Sequence, residues 1–180
     1  VITIDLGSNS FRVLKYDCLN FKIIDEYHQV VGLADGLINS GLISFEALNR
    51  VIDAINIAKD KLSFNPEDAV CVTTAAMRKA KNSQEALDFI EKNSGAKFEI
   101  IDANEEARLT LLAIKYALER ENLKSEKFMV LDIGGGSTEL TVSLEDKSFT
   151  RSFDFGIVTM TQKSLKNGDL FQDLDKRKEE

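Results

Sequence analysis

The most constraining feature of this 180-residue sequence is a short internal repeat. The segment Ile4–Ser10 (IDLGSNS) returns as Leu131–Ser137 (LDIGGGS), and the aspartates of the two copies stand 127 positions apart. A strand-like run follows each copy, over residues 11–17 and 138–144. Each unit therefore has the pattern strand, Gly/Ser turn, strand, and two such units predict a duplicated domain.

Strand-like and helix-like segments alternate along the rest of the chain, which predicts an α/β architecture and not a helical bundle or a β-sandwich. The strand-like runs span residues 1–6, 11–17, 21–31, 69–75, 97–102 and 128–133. The first repeat unit is predicted to fill residues 1–122 as one domain of five strands and three helices. Residues 123–180 leave room for only three strands and the start of a helix, so the second domain is predicted to be incomplete.

Three helices are predicted from capping residues and apolar spacing. The first runs from a Ser44 cap to near Phe64, and the second begins at Asn82 or Ser83. The third is predicted to begin at an Asn104 cap. Its apolar residues fall on one side of the helix: Leu109, Leu112, Ala113, Tyr116 and Ala117.

Composition places the chain among ordinary globular proteins, with 43% apolar and 29% charged residues. No apolar run is long enough to span a membrane, and the first residues lack the basic flank of a signal peptide, so we expect a cytoplasmic protein without membrane partners. A count of 30 acidic against 23 basic residues gives a formal charge of −7, which disfavours binding to duplex nucleic acid. Cys18 and Cys71 stand in apolar runs and are predicted to be small buried hydrophobes.

Each repeat contains a turn of small residues that is suited to binding phosphate. Backbone N–H groups in such a turn can point at one spot, because no large side chain blocks their approach. Asp5 or Asp132 ends the strand before each turn, where a carboxylate would hold a Mg²⁺ ion that contacts phosphate through water. The Lys of a Walker loop and the third Gly of a dinucleotide fingerprint are both missing, which excludes those two motifs.

Three further features are candidates for the same site. Arg78 lies in a basic segment between a strand and a helix, where it would either fork onto a phosphate or belong to a solvated loop. Glu105 and Glu106 stand where a helix starts, so they are either functional carboxylates or simple stabilisers of the helix N-terminus. Glu139 lies close to Asp132 if the two strands pair, and is otherwise an exposed strand carboxylate.

Four blocks of the sequence closely resemble the exopolyphosphatase / guanosine pentaphosphate phosphohydrolase family, the Ppx/GppA phosphatases. In chain order they are DLGSNSFR (5–12), TAAMRKAKN (74–82), NEEARL (104–109) and DIGGGSTE (132–139), and GIVT (156–159) resembles a further turn of the family. The resemblance implies the fold of the actin-like ATPase superfamily, in which two ribonuclease-H-like domains face each other across a catalytic cleft. The internal repeat, which was found without reference to the family, also predicts two related domains.

The resemblance also implies roles for individual residues. Glu106 matches the family's catalytic base, which activates the water that attacks the terminal phosphoryl group of polyphosphate or of guanosine pentaphosphate. Asp132 and Glu139 match acidic cleft residues taken as Mg²⁺ or water ligands, and together with Asp5 they form the predicted metal site. The phosphate-contacting positions of the family match Ser8, Asn9, Ser10, Arg78, Gly134, Gly135, Gly136, Ser137 and Thr138.

The sequence departs from the family at one place, where Asp102-Ala103 stands instead of the Ser-Gly that often precedes the Glu-Glu block. An extra carboxylate there could shift the preference for metal or substrate. Members of the family are longer, so we expect this chain alone to be inactive or weakly active. Family likeness also suggests a homodimer. Two other functions stay open: an ATP-dependent kinase of the same superfamily, and a non-catalytic module that binds polyphosphate or a nucleotide alarmone.

Overall fold

The computed structural model describes residues 1–123, 127–145 and 147–167, and their strands form two sheets. The larger sheet contains β1 (Ile2–Leu6), β2 (Ser10–Asp17), β3 (Lys22–Val30), β4 (Val70–Thr73) and β5 (Phe98–Ile100), in the order β3-β2-β1-β4-β5. The smaller sheet contains β6 (Lys127–Ile133), β7 (Thr138–Leu144) and β8 (Lys147–Phe153), in that order. The α/β architecture predicted from the sequence is therefore confirmed.

The α-helices of the described ranges are α1 (Leu37–Ser40), α2 (Phe45–Leu62), α3 (Ala75–Lys79), α4 (Ser83–Ser94), α5 (Ala103–Arg120) and α6 (Ile157–Asn167). The Ser44 cap is confirmed, because its side chain accepts a hydrogen bond from the Ala47 N–H at 3.2 Å. The Asn104 cap is wrong, since Asp102 accepts from the Glu105 N–H at 2.8 Å and starts α5. The departure from the family pattern at Asp102 thus serves helix capping. None of these helices is long and apolar enough to cross a membrane.

The first sheet and α2 enclose the main hydrophobic core. Strands β1 and β2 turn Ile4, Leu6, Phe11 and Val13 inward, and all four are buried. The inward side of α2 follows the 3.6-residue period of a helix, which is why the sequence predicted it: Ala47, Leu48, Val51, Ala54, Ile55, Ala58 and Leu62. This core holds the end of β1, where the first Gly/Ser turn begins.

The two repeats form matching β-hairpins. In the first, Asp5 pairs with Arg12 between β1 and β2. In the second, Asp132 pairs with Glu139 between β6 and β7. The two pairs occupy equivalent positions of the repeat, so the close approach of Asp132 and Glu139 predicted for paired strands is confirmed.

The same hydrogen bond closes both turns. It runs from Gly7 N to Ser10 O in the first turn and from Gly134 N to Ser137 O in the second, at 2.9 Å in each. These four residues are also equivalent in the repeat. The sequence repeat is therefore also a structural repeat, and it includes the hydrogen bond that closes each turn.

The two sheets differ in how far their apolar faces are covered. Met129, Leu131 and Ile133 on β6 are 67%, 59% and 52% exposed, although Ile4 and Leu6, the first-repeat counterparts of the last two, are fully buried. Alternate residues of a strand point to opposite faces, and α5 packs against β7 and β8 on the other face. Within the described residues, the second sheet therefore has no counterpart of α2 over this apolar face.

The basic segment after β4 forms α3, which excludes the alternative of a solvated loop. Two predictions from the sequence are corrected by the fold. The predicted apolar side of α5 faces outward, since Leu112 is 55% exposed whereas Ala107 and Leu111 are buried. Cys71 is buried as predicted, but Cys18 is exposed, because β2 ends before it and the chain turns towards β3.

Candidate functional site

The two Gly/Ser turns meet beside a cleft of about 320 Å³. A Cβ atom on Gly135 would lie 3.1 Å from the Cβ atoms of Ser8 and Asn9, so the turns are in van der Waals contact. Residues of both repeats and of the elements between them line the cleft: Asp5, Gly7, Ser8, Asn9, Ser10, Arg12, Thr74, Ala75, Glu106, Asp132, Ile133, Gly134, Gly135, Gly136, Ser137, Ile157 and Val158.

Hydrogen bonds from the segment after β8 fix the direction of the peptide groups in the second turn. The carbonyl of Gly134 accepts from Ile157 N at 2.9 Å, and the carbonyl of Gly135 accepts from Val158 N at 3.0 Å. The C=O and N–H of a trans peptide point in opposite directions. The N–H groups of Gly135 and Gly136 therefore face away from these two donors.

The last carbonyl of this turn is held by a side chain. Lys79 Nζ donates to the carbonyl of Gly136 at 2.9 Å, which turns the N–H of Ser137 to the opposite side. Among the described residues, none accepts a hydrogen bond from the N–H groups of Gly135, Gly136 or Ser137. These residues line the cleft, so three main-chain donors are available to a bound anion.

The first turn is held in the same way. Ala34 N donates to the carbonyl of Ser8 and Val31 N to the carbonyl of Asn9, each at 2.8 Å. The N–H groups that follow these carbonyls therefore point away from the loop after β3. Both repeats thus present main-chain donors to one cleft, and both are supported by the segment that follows their third strand.

Close packing behind the second turn requires glycine at position 156. A Cβ atom there would lie 2.5 Å from the oxygen of Gly134 and 2.6 Å from the carbonyl carbon of Gly135. Both distances are well below the 3.0 Å that real Cβ contacts respect. The block at 156–159 is therefore the support of the second turn.

Two carboxylates, Asp5 and Asp132, lie at the cleft at the ends of β1 and β6. Partial desolvation at the cleft raises the pKa of Asp5, the Arg12 guanidinium opposes that rise, and the negative charge of Asp132 adds to it. The Thr110 hydroxyl of α5 donates to Asp132 Oδ2 at 3.3 Å. The two carboxylates are thus close enough to interact electrostatically.

Glu106 lines the cleft from the first turn of α5. Arg78 Nη1 of α3 donates to Glu106 Oε2 at 2.9 Å and to the Ile101 carbonyl at 2.7 Å. The two charged side chains are only 21% and 22% exposed. Burial raises the pKa of Glu106, the hydrogen bond and charge of Arg78 oppose the rise, and the negative charge of Glu139 adds to it. Glu106 is therefore an oriented and partly desolvated carboxylate, which is the environment that a general base needs.

Three of the predicted site residues do not line the cleft. Arg78 is engaged in the ion pair just described. Thr138 is buried, and its hydroxyl donates to the Phe155 carbonyl at 2.8 Å. Glu139 is 3% exposed and accepts from Ser152 Oγ at 2.8 Å. The structure brings the other predicted residues together in the cleft: Asp5, Ser8, Asn9, Ser10, Glu106, Asp132, Gly134, Gly135, Gly136 and Ser137.

The acidic residues of the cleft do not form a ready-made cage for a metal ion. Within the described ranges, no group of three or more His, Cys, Asp or Glu side chains is placed to hold one. Mg²⁺ is usually held by one or two carboxylates, with water and substrate phosphates completing its shell. Asp5 and Asp132 fit that arrangement, whereas the part of Glu139 in a metal site stays a prediction.

Sequence reasoning assigned no role to Arg12, although it lines the cleft and pairs with Asp5 across the hairpin. The repeat contained the signal, because Arg12 stands where the second copy has Glu139. Thr74 and Ala75, which follow β4, also line the cleft. Their place depends on the parallel pairing of β4 with β1, which no local pattern in the sequence specifies.

Comparison with known proteins places the chain among phosphatases. The model of the Ppx/GppA phosphatase family matches residues 12–179. A guanosine-5'-triphosphate,3'-diphosphate pyrophosphatase from Photobacterium profundum is 31% identical over 168 residues, which are 91% of this chain and 33% of that protein. The chain therefore spans about one third of the length of this relative.

Solved structures agree with the family model. An exopolyphosphatase from Cytophaga hutchinsonii has a TM-score of 0.79 and 27% identity, over 90% of this chain and 52% of that one. The Ppx/GppA phosphatase of Aquifex aeolicus, in its type II variant, has a TM-score of 0.66 and 28% identity, over 90% and 54% of the two chains. The fold is thus the actin-like ATPase fold that the family resemblance implied. The chain belongs to the Ppx/GppA phosphatase family.

Proposed function

We propose that this chain carries the catalytic cleft of an enzyme that hydrolyses the terminal phosphoanhydride of inorganic polyphosphate or of guanosine pentaphosphate. The observation that carries the proposal is the position of Glu106, a partly buried carboxylate in one cleft with two turns of main-chain N–H donors. Phosphoanhydride hydrolysis needs this combination, because the phosphoryl group and the attacking water must be held together. The proposal includes the division of the chain into residues 1–122 and 123–180, with the cleft between them.

The two turns bind the terminal phosphoryl group. The N–H groups of Gly135, Gly136 and Ser137 are aimed by hydrogen bonds behind them, so they need no reorganisation when substrate binds. Arg12 adds a positive charge to a cleft that also holds carboxylates. Donors oriented in advance stabilise the charge on the phosphoryl oxygens in the transition state.

Glu106 orients the attacking water and accepts its proton. Arg78 holds Oε2, which fixes the direction of the carboxylate, and the Thr74 side chain also hydrogen-bonds to Glu106. Burial keeps the proton affinity of Glu106 above that of an exposed glutamate, while Arg78 limits the rise. A positioned base of this kind contributes about 10²- to 10⁴-fold to the rate.

Asp5 and Asp132 are the residues that would hold a Mg²⁺ ion. The negative charge of Asp132 raises the pKa of Asp5, so a cation bound by these carboxylates would relieve their repulsion. A bound Mg²⁺ supplies charge neutralisation to the phosphoryl oxygens. Water and substrate oxygens would fill the rest of its shell.

The names of two relatives support this substrate class. One is called a guanosine-5'-triphosphate,3'-diphosphate pyrophosphatase and another an exopolyphosphatase. Polyphosphate and guanosine pentaphosphate both end in a phosphoanhydride, so the turns and Glu106 would act on both in the same way. The choice between them depends on contacts beyond the terminal phosphoryl group.

Phosphate release tests the proposal. Long-chain polyphosphate and guanosine pentaphosphate are each incubated with the full-length protein, with and without Mg²⁺, and free phosphate is measured. We expect release from at least one substrate and a strong dependence on Mg²⁺. Tight binding without release from either substrate would contradict hydrolysis and favour a non-catalytic binding module.

A further inference from the structure

We propose that Lys79 is a positioning residue that links the two repeat units and aims the N–H of Ser137 at the substrate phosphate. The inference rests on the proposed phosphate-binding role of the turns. Lys79 ends α3, in the first unit, whereas Ser137 belongs to the turn of the second unit. The contact between them passes through one peptide group, the one that joins Gly136 to Ser137.

Each of the three glycine carbonyls of the second turn accepts a hydrogen bond, and Lys79 donates the last of them. The carbonyls of Gly134 and Gly135 accept from main-chain N–H groups of the same repeat unit. The carbonyl of Gly136 accepts from Lys79 Nζ at 2.9 Å. It is thus the one carbonyl of the three whose described donor is a side chain, and that side chain comes from the other unit. Because C=O and N–H of the peptide point in opposite directions, this bond sets the direction of the Ser137 N–H.

Lys79 acts from behind the turn and not from the cleft. It does not line the cleft, but lines a separate small cavity of about 100 Å³ together with Ser8, Gly136 and Thr159. Its ammonium group also lies 3.0 Å from Asp154, whose side chain is 91% exposed. Ion pairs with exposed partners contribute little, so the bond to the Gly136 carbonyl is the contact with a structural consequence.

The helix α3 connects the base to the phosphate donors through two neighbouring residues. Arg78 holds the carboxylate of Glu106, and Lys79 holds the carbonyl of Gly136. The helix α3 has five residues, so the side chains that hold the base and the second turn come from neighbouring positions of one short element. Separation of the two units would break the Lys79 bond and release the Ser137 N–H, which makes the complete set of donors depend on the approach of the units.

Nuclear magnetic resonance can observe this donor directly. Inorganic phosphate is titrated into ¹⁵N-labelled protein, and the amide resonance of Ser137 is followed in the parent, in Lys79→Met and in Lys79→Arg. We expect phosphate to shift this amide in the parent and in Lys79→Arg, which keeps a donor, but not in Lys79→Met. An amide that ignores phosphate in the parent, or responds equally in Lys79→Met, would overturn the inference.

Kinetics provide a second readout with a matched control. Lys81→Met removes a positive charge from an exposed residue two positions further on, outside both turns. Loss of one oxyanion donor lowers kcat by about 10²- to 10³-fold. A donor that is kept but no longer oriented costs less, so we expect Lys79→Met to lower kcat/KM about tenfold, mainly by lowering kcat. Lys81→Met should match the parent, and Lys79→Arg should recover most of the loss.

The two readouts separate this inference from the proposed function. Absence of phosphate release in the parent, together with the expected shift of the Ser137 amide, would contradict the hydrolase and leave the role of Lys79 standing. An equal loss of kcat/KM in Lys79→Met and Lys81→Met would show a general effect of charge and overturn the inference. Denaturant midpoints of the variants show whether a loss of kcat/KM comes from unfolding. If Lys79→Met is destabilised, recovery of kcat/KM in Lys79→Arg supports the inference, and no recovery contradicts it.

Discussion

Replacement of Gly156 with alanine tests how the second turn is held. The new Cβ atom would lie 2.5, 2.6 and 2.7 Å from backbone atoms of Gly134 and Gly135. Ordinary contact begins at 3.4 Å, and the neighbours are main chain, so the turn itself must move by roughly 1 Å. Overpacking of this kind costs about 1 to 3 kcal/mol of stability, and a displacement of about 1 Å at a reacting group can cost about 10²-fold in rate.

Two assays check this prediction. Denaturant unfolding gives the loss of stability, and phosphate release gives the loss of kcat/KM. Gly95→Ala is the control, because Gly95 ends α4 with a φ of 78° and lies outside the cleft. It should lose roughly 1 kcal/mol through backbone strain and keep its activity. A Gly156→Ala protein with the activity of Gly95→Ala would refute the account of the turn.

Three further predictions concern the base, the core and a helix cap. Arg78 lowers the pKa of Glu106, and the base must be ionised to act. Arg78→Met should therefore move the acid limb of the pH profile of kcat/KM to higher pH, and an unmoved limb would contradict the pairing. Ile4→Ala should cost about 2 to 5 kcal/mol in denaturant unfolding because it leaves a buried cavity, whereas Leu131→Ala at the exposed counterpart should cost less than about 0.5 kcal/mol. Ser44→Ala should cost about 1 kcal/mol through loss of the α2 cap, and an unchanged unfolding midpoint would count against that cap.

The repeat made the centre of the site predictable from sequence. Asp5 and Asp132 each end a strand, and the small residues that follow can only form a tight turn, so local pattern was enough to place both turns at strand ends. Two matched copies then predicted a duplicated domain, and the family resemblance implied a cleft between the two copies. The match of Arg12 to Glu139 was available from the same comparison, since equivalent positions of a repeat lie at equivalent points of the hairpin.

The partners of individual side chains were not predictable in this way. A guanidinium group suits a carboxylate as well as a phosphate, and only the packing of α3 near the start of α5 directs Arg78 to Glu106. Packing also explains why the apolar side of α5 faces outward. The helix covers a sheet face that carries the buried polar residues Thr141 and Ser143. Helical spacing identifies an apolar side, but the surface that meets the helix decides which side turns inward.

The central claim is that Glu106 activates the attacking water, and substitution of the two adjacent glutamates tests it most directly. Glu105 shares the first turn of α5, but its carboxylate is held by Arg108 at 2.7 Å on the surface. We predict that Glu106→Gln lowers kcat for phosphate release by about 10²- to 10⁴-fold, while Glu105→Gln keeps the kcat of the parent. Full activity in Glu106→Gln, or an equal loss in both variants, would contradict the account.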